Sequence, residues 1–235
     1  MSQETKMKLF SLLTGLAVAF SMIYTAEKIG QVYTMGEASL SAKDQHVVVV
    51  DAGHGGFDPG KVGINGAQEK DINLAIAQKV SQYLKAGDIQ VVMTREDENG
   101  LYDPDSDNKK VQDMKRRVEI MEAAQPDLII SVHQNSYPEE YVHGAQVFYH
   151  KDSEEGKKLA DRIQKQFVAL ADPENKRQIK ANDSYYLLKK TAMPIVIVEC
   201  GFLSNYKEAE MLVTESYQDQ VAWAVYMGVM QYLNE

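Results

Sequence analysis

Four valines, Val47-Val48-Val49-Val50, run straight into Asp51-Ala52-Gly53-His54-Gly55-Gly56. No other stretch limits the fold as strongly. A continuous β-branched run suits a strand buried on both faces, the habit of parallel sheets. The glycines end it in a tight turn where backbone approaches a ligand closely. His54 is therefore expected at the carboxyl end of a central strand, where open α/β sheets place their ligands.

The pattern recurs down the chain. Residues 128–133 form an apolar run ending in His133, and residues 195–198 form another that ends at Glu199. Ile72, Ile76, Val80, Tyr83 and Leu84 repeat at helical spacing, which predicts a helix over 71–86 closed by Gly87. A strand is expected at 89–94, an acidic loop at 95–108, and a helix at 109–124 halted by Pro126. Residues 144–150 alternate in polarity, as a strand nearer a sheet edge does, and 154–170 read as a helix. Residues 172–190 are polar and irregular, a candidate lip over a site, and helices at 205–213 and 217–233 close the chain. This alternation predicts a single α/β domain, a mostly parallel twisted sheet sandwiched between helices.

Ahead of it, Lys6 and Lys8 precede an apolar stretch over 9–24. A positive flank and an apolar run read as a signal peptide or a membrane anchor. The stretch is close to the shortest span of about 17 residues; a buried helix is the alternative. Residues 1–25 are thus assigned to the signal or anchor, which contacts the membrane, 26–45 to a linker and 46–235 to the folded domain, outside the cytoplasm. The net charge of −9 argues against a nucleic-acid surface. A single cysteine, Cys200, excludes a disulfide framework and a cysteine-based zinc cluster.

Right-handed crossovers bring the carboxyl ends of parallel strands to one edge, so His54, His133 and Glu199 can converge there. Glu69 follows a loop carrying Gly55, Gly56, Gly60, Gly63 and Gly66, which can fold it back toward His54. Two histidines and a carboxylate suit a catalytic zinc site with one position left for water. His54, Glu69 and His133 are the candidate ligands, and Glu199 the candidate acid/base. Each has a plainer alternative. The histidines can donate to backbone carbonyls, Glu69 can favour a helix amino terminus, and Glu199 can pair with Arg117. The glycine-rich loop can cradle phosphate, although it lacks the usual lysine-containing pattern. Cys200 can act as a nucleophile with His133, or pack as a small apolar group on the opposite face of its strand. His143 and His150 read as surface groups.

Several motifs together resemble a known family: Asp51-Ala52-Gly53-His54-Gly55-Gly56-Phe57-Asp58-Pro59-Gly60, Glu69-Lys70-Asp71, Thr94-Arg95, Ser131-Val132-His133-Gln134-Asn135 and Val198-Glu199-Cys200-Gly201-Phe202-Leu203-Ser204-Asn205. Their order and content resemble the zinc-dependent N-acetylmuramoyl-L-alanine amidases, most of all the germination-specific subgroup acting on spore cortex peptidoglycan. The resemblance implies hydrolysis of the amide joining N-acetylmuramic acid to L-alanine, with zinc on His54, Glu69 and His133 and catalysis by Glu199. In that subgroup the cut precedes formation of muramic-δ-lactam. Asn135 and Arg117 are expected to contact substrate. Ala52 and Gln134 depart from the family's usual proline and alanine. Residues 134–198 leave little room for the zinc-blocking helix of some members, so an open cleft or control by a separate activating protein is expected. The rival reading is a non-catalytic peptidoglycan-binding module with a vestigial metal site.

Overall fold

In the computed structural model the described residues are 45–235, together with Gln3. The expected signal or anchor and nearly all of the linker lie outside them. Residues His46–Glu235 form one compact unit. Among the described residues, no helix is long and apolar enough to cross a membrane.

The unit is built on a six-stranded sheet. Its strands are β1 (Val47–Ala52), β2 (Gln90–Met93), β3 (Leu128–Asn135), β4 (Gln146–His150), β5 (Lys180–Asn182) and β6 (Ile195–Phe202). They lie in the order β2-β1-β3-β6-β4-β5. β2, β1, β3 and β6 are mutually parallel, whereas β4 runs antiparallel to β6 and carries β5 parallel to itself. The strand expected near the edge is therefore second from it. The edge on that side, β5, is three residues long, too short to show any periodicity, and β2 forms the other edge.

Side chains alternate between the two faces of each strand. Val48, Val50, Ile130, Val132, Val196 and Val198 pack on one face beneath helices α1 (Glu69–Ala86), α3 (Glu154–Gln166) and α6 (Glu215–Leu233). Val49, Ile129, Ile195 and Ile197 face the other way, against Met121 of α2 (Lys109–Ala124) and Leu187 and Leu188 of α4 (Tyr186–Lys190). A short helix, α5 (Tyr206–Leu212), precedes α6. Side-chain caps fix several helix starts: Asn108 accepts the Val111 N–H, Ser153 that of Gly156, and Thr214 that of Tyr217. The helix expected over 154–170 turns π-helical at Phe167–Ala171. The segment expected to be an irregular lip contains β5 and α4.

The chain leaves β1 for β2 on one side and then crosses to β3 on the other. Their carboxyl ends thus form the point where strand order reverses, the usual ligand position in such sheets.

Candidate active site

Past Ala52 the chain leaves the sheet, so its carbonyls need new partners. Two buried arginines supply most of them. Ala52 accepts from Arg95 Nε at 2.9 Å and from Arg117 Nη1 at 2.7 Å. The Gly53 carbonyl accepts from Arg95 Nη2 at 3.1 Å and Asn73 Nδ2 at 3.0 Å. The His54 carbonyl accepts from Arg117 Nη2 at 2.6 Å. This clamp holds His54 at φ +61°, in the left-handed region that side chains seldom occupy. Asp58 Oδ2 lies 3.0 Å from His54 Nδ1, which leaves Nε2 to face Glu69 Oε1 at 3.3 Å. A carboxylate behind an imidazole fixes its tautomer and ring orientation.

Glu69 opens α1 and is brought back to His54 by the glycine-rich loop. The fit is close: at Gly60, with φ +67°, a Cβ would sit 2.5 Å from Glu69 Oε2 and 2.7 Å from His54 Cδ2. Glu69 Oε2 accepts the Lys61 N–H at 2.8 Å, and Oε1 accepts the Gln134 N–H at 3.1 Å. Oε1 also faces His133 Nδ1 at 2.9 Å. Burial alone would raise the Glu69 pKa, but the bonds and charges of His133 and His54 outweigh it and hold the carboxyl well below its usual range. Burial likewise lowers His133, and Glu69 more than reverses this, so His133 is raised. His133 on β3 passes so close to β1 that a Cβ at Gly53 would lie 2.3 Å from its Nε2.

The ligand atoms of His54, Glu69 and His133 all lie within 4.8 Å of one another. Both histidines are about one-fifth exposed, at 21% and 20%, so the group opens to solvent. It lies in a cleft of 510 Å³ whose walls include Phe57, Lys61, Lys110, Asn135, Tyr186 and Glu199. Two imidazoles and an ionised carboxylate form a donor set that fits a tetrahedral metal with an open position. A second group, His143, Asp172 and Glu208, is differently occupied. Both oxygens of Glu208 there already accept backbone N–H groups, from Gly144 at 3.0 Å and Phe202 at 2.9 Å.

Glu199 on β6 is the register partner of His133 on β3. Its parity places it on the α2/α4 face, at the cleft. It is 7% exposed, and its Oε2 is buried with no hydrogen-bond partner. Burial, with the Glu69 charge adding to it, pushes its carboxyl up to about 7 against the pull of His133 and His54. The alternative of a pair with Arg117 is overturned.

Arg117, expected to bind substrate, is 1% exposed and already committed. Besides the two carbonyls it holds Asp51 Oδ1 at 2.6 Å and Asp113 Oδ2 at 2.7 Å. It braces the turn from within. Asp51 has no exposure and also accepts from Thr94 Oγ1 at 2.7 Å and Ser131 Oγ at 2.5 Å. Asn135 lines the cleft, with its Oδ1 taken by the Ser136 N–H at 2.8 Å. Cys200 is fully buried in the apolar cluster on the α1 face, and burial pushes its thiol far up, which removes it as a nucleophile.

Asp58, Asn73, Arg95 and Asp51 are supporting residues that carried no assigned role in the sequence reading. Asp51, Asp58 and Arg95 stand within the motifs quoted above, and Asp58 also follows His54 by four residues; Asn73 is identified only by tertiary contact.

The family profile for N-acetylmuramoyl-L-alanine amidase matches residues 48–231. The germination-specific N-acetylmuramoyl-L-alanine amidase of Bacillus subtilis (strain 168) is 32% identical, over 98% of this chain and 96% of its own. The CwlD amidase of Clostridioides difficile, solved in complex with the GerS lipoprotein, is 38% identical with a TM-score of 0.79, covering 81% of this chain and 99% of that one. The catalytic domain of CwlV, an amidase from Bacillus (Paenibacillus) polymyxa var. colistinus, is 34% identical with a TM-score of 0.71, covering 81% and 99%. With a profile spanning nearly the whole compact unit and a full-length relative of this identity, the chain belongs to the N-acetylmuramoyl-L-alanine amidase family.

Proposed function

We propose that this amidase works with zinc held by His54, Glu69 and His133, and with Glu199 as its acid/base. The observation that carries the reading is the buried, partnerless Oε2 of Glu199 in the same cleft as the three-ligand group. A buried carboxylate without a partner costs several kcal/mol unless something beside it accepts or supplies a proton. Zinc, when bound, supplies Lewis-acid polarisation of the lactyl carbonyl and acidifies water.

The chain's own groups do the rest. Glu199 takes the proton of the attacking water. It then gives that proton to the alanine nitrogen as the C–N bond breaks. Asp58 keeps the His54 ring turned toward Glu69, and the arginine clamp keeps the turn from relaxing. The cleft walls position the muramyl unit and the stem peptide. A non-catalytic module has no use for Glu199, which speaks for the enzyme over that rival.

We further infer action outside the cytoplasm on spore cortex peptidoglycan, before muramic-δ-lactam forms, in line with the germination-specific relative. The lipoprotein complex of the C. difficile enzyme supports a separate activating protein for this chain as well.

The test compares wild type with Glu199→Gln on purified peptidoglycan, scoring peptides with a new amino-terminal alanine. Loss of about 10²–10⁴-fold in rate is expected, with zinc content unchanged. Chelation should abolish activity and added zinc restore it. Equal release by both proteins would end the catalytic reading.

A further inference from the structure

Among the described residues eleven large apolar or aromatic side chains are exposed, and five of them, Val62, Ile64, Tyr137, Tyr141 and Tyr206, sit on three segments tied to one another: the loop before α1, the loop after β3 and the start of α5. The Tyr137 N–H donates to Ser204 Oγ at 2.9 Å, and Asn205 Nδ2 donates to the Glu140 carbonyl at 2.8 Å. The Ile64 N–H donates to the Leu203 carbonyl at 2.9 Å. The three segments thus form one braced ridge. It continues directly from the cleft, because Lys61 and Ser136, the neighbours of Val62 and Tyr137, line the cleft wall.

The tyrosines give the ridge its character. Tyr137, Tyr141 and Tyr206 are 52%, 78% and 64% exposed. No hydrogen bond or ring contact engages their side chains among the described residues. Exposed aromatics gathered beside a site mark a binding surface. Burying them would bring large apolar area at low conformational cost.

We propose that this ridge binds the glycan strand of peptidoglycan, its tyrosine rings stacking on sugar faces while the muramyl unit to be cut occupies the cleft; the proposal rests on the amidase reading above. Three considerations select this occupant. The scissile amide hangs from a sugar within a polymer, so the strand must run out of the cleft over adjoining surface. Pyranose rings offer flat C–H faces that match aromatic faces, with hydroxyls left at the rim for water and polar backbone. The ridge also carries Glu139 and Glu140, both exposed, on a chain of net charge −9, which disfavours a polyanion or an acidic membrane and costs an uncharged sugar backbone nothing. Because the segments are already pinned together, little ordering remains to be done on binding.

Binding is measured apart from cleavage by using zinc-loaded Glu199→Gln protein and co-sedimentation with purified peptidoglycan. The combined Tyr137→Ala, Tyr141→Ala and Tyr206→Ala changes are expected to weaken binding about tenfold or more, as loss of several stacking contacts requires. Tyr→Phe at the same positions should keep it, since ring faces carry the contact. In the otherwise wild-type enzyme the alanine triple should lose a similar factor on polymeric peptidoglycan. It should keep its rate on a soluble N-acetylmuramoyl-peptide with one sugar, which is too short to reach the ridge. Unchanged sedimentation overturns the proposal. So does an equal loss on both substrates, or a ridge whose alanine triple loses only a protein partner or self-association. If the ridge binds peptidoglycan but wild type releases no stem peptide, the amidase reading fails and the ridge assignment stands.

Discussion

Arg117→Met removes a guanidinium while keeping most of the apolar stem, and it tests the brace beneath the site. In the wild type the arginine is 1% exposed and Asp51 is fully buried, with 2.6 Å between Arg117 Nη1 and Asp51 Oδ1. The variant leaves Asp51 with only the Ser131 and Thr94 hydroxyls and strips the His54 carbonyl of its 2.6 Å donor. Breaking a buried ion pair from one side costs about 3–5 kcal/mol. For a domain of this size that lowers the melting midpoint by roughly 6–20 °C. Urea unfolding of chelator-treated protein, followed by circular dichroism, isolates this effect from metal binding. The pH dependence has a definite sign. Burial would raise Asp51, but Arg117 and the two hydroxyls outweigh it and hold it below 3.8. Its contribution is therefore present above the ordinary carboxylate range and lost as pH falls through the depressed value. Without Arg117, burial prevails and the carboxyl rises, so the variant's deficit should be greatest near neutrality and shrink toward acid. Adding Asp51→Asn should recover part of the loss, since the two groups are directly coupled. A deficit under about 1 kcal/mol, or one independent of pH, would refute the brace. Wild-type stability with weakened substrate binding would return Arg117 to the role its sequence position suggested.

Metal-free protein should lose stability as pH rises from 4.5 to about 7, because Glu199 is held protonated over that window in the fold and not in the unfolded chain; Glu199→Gln should flatten that slope in a denaturation series. Gly53→Ala places a Cβ 2.3 Å from the His133 ring, so zinc affinity in a chelator competition should fall by about 10–100-fold, the range seen when ligand orientation is lost, with the far-ultraviolet spectrum retained. Thiol alkylation of the native enzyme should leave Cys200 unmodified and activity intact, whereas labelling in denaturant should be complete; rapid native labelling with inactivation would revive the cysteine mechanism.

The sequence displayed β1, β3 and β6 because those strands are buried on both faces and read as apolar runs. β4 and β5 were harder. One alternates in polarity without announcing its direction, and the other has three residues. The three candidate ligands and Glu199 were legible because each ends an apolar run or follows a glycine-rich loop, and the topology brings such ends together. What supports them was hidden. Arg95 stood in a quoted motif with no role attached, and Arg117, four residues before Met121, falls on the apolar stripe of its helix without showing what it pairs with. Only the unsatisfied carbonyls of residues 52–54, which no sequence pattern reveals, draw both arginines into the interior. Arg117 was consequently assigned to substrate when its partners lie within the protein.

The side-by-side register of His133 and Glu199 limits how the gene can change length. Adjacent strands lie about 4.8 Å apart, so this pairing sets the gap between a ligand and the acid/base by backbone alone. Inserting or deleting one residue upstream in β6 would turn its side chains over, presenting Cys200 to the cleft and driving Glu199 into the apolar cluster. Beyond that pair the ladder slips, with Asn135 opposite Phe202. Insertions after the slip can be taken up as bulges are. Natural length variation should therefore gather in the loops after Phe202 and avoid the four residues that lead from Ile195 to Glu199.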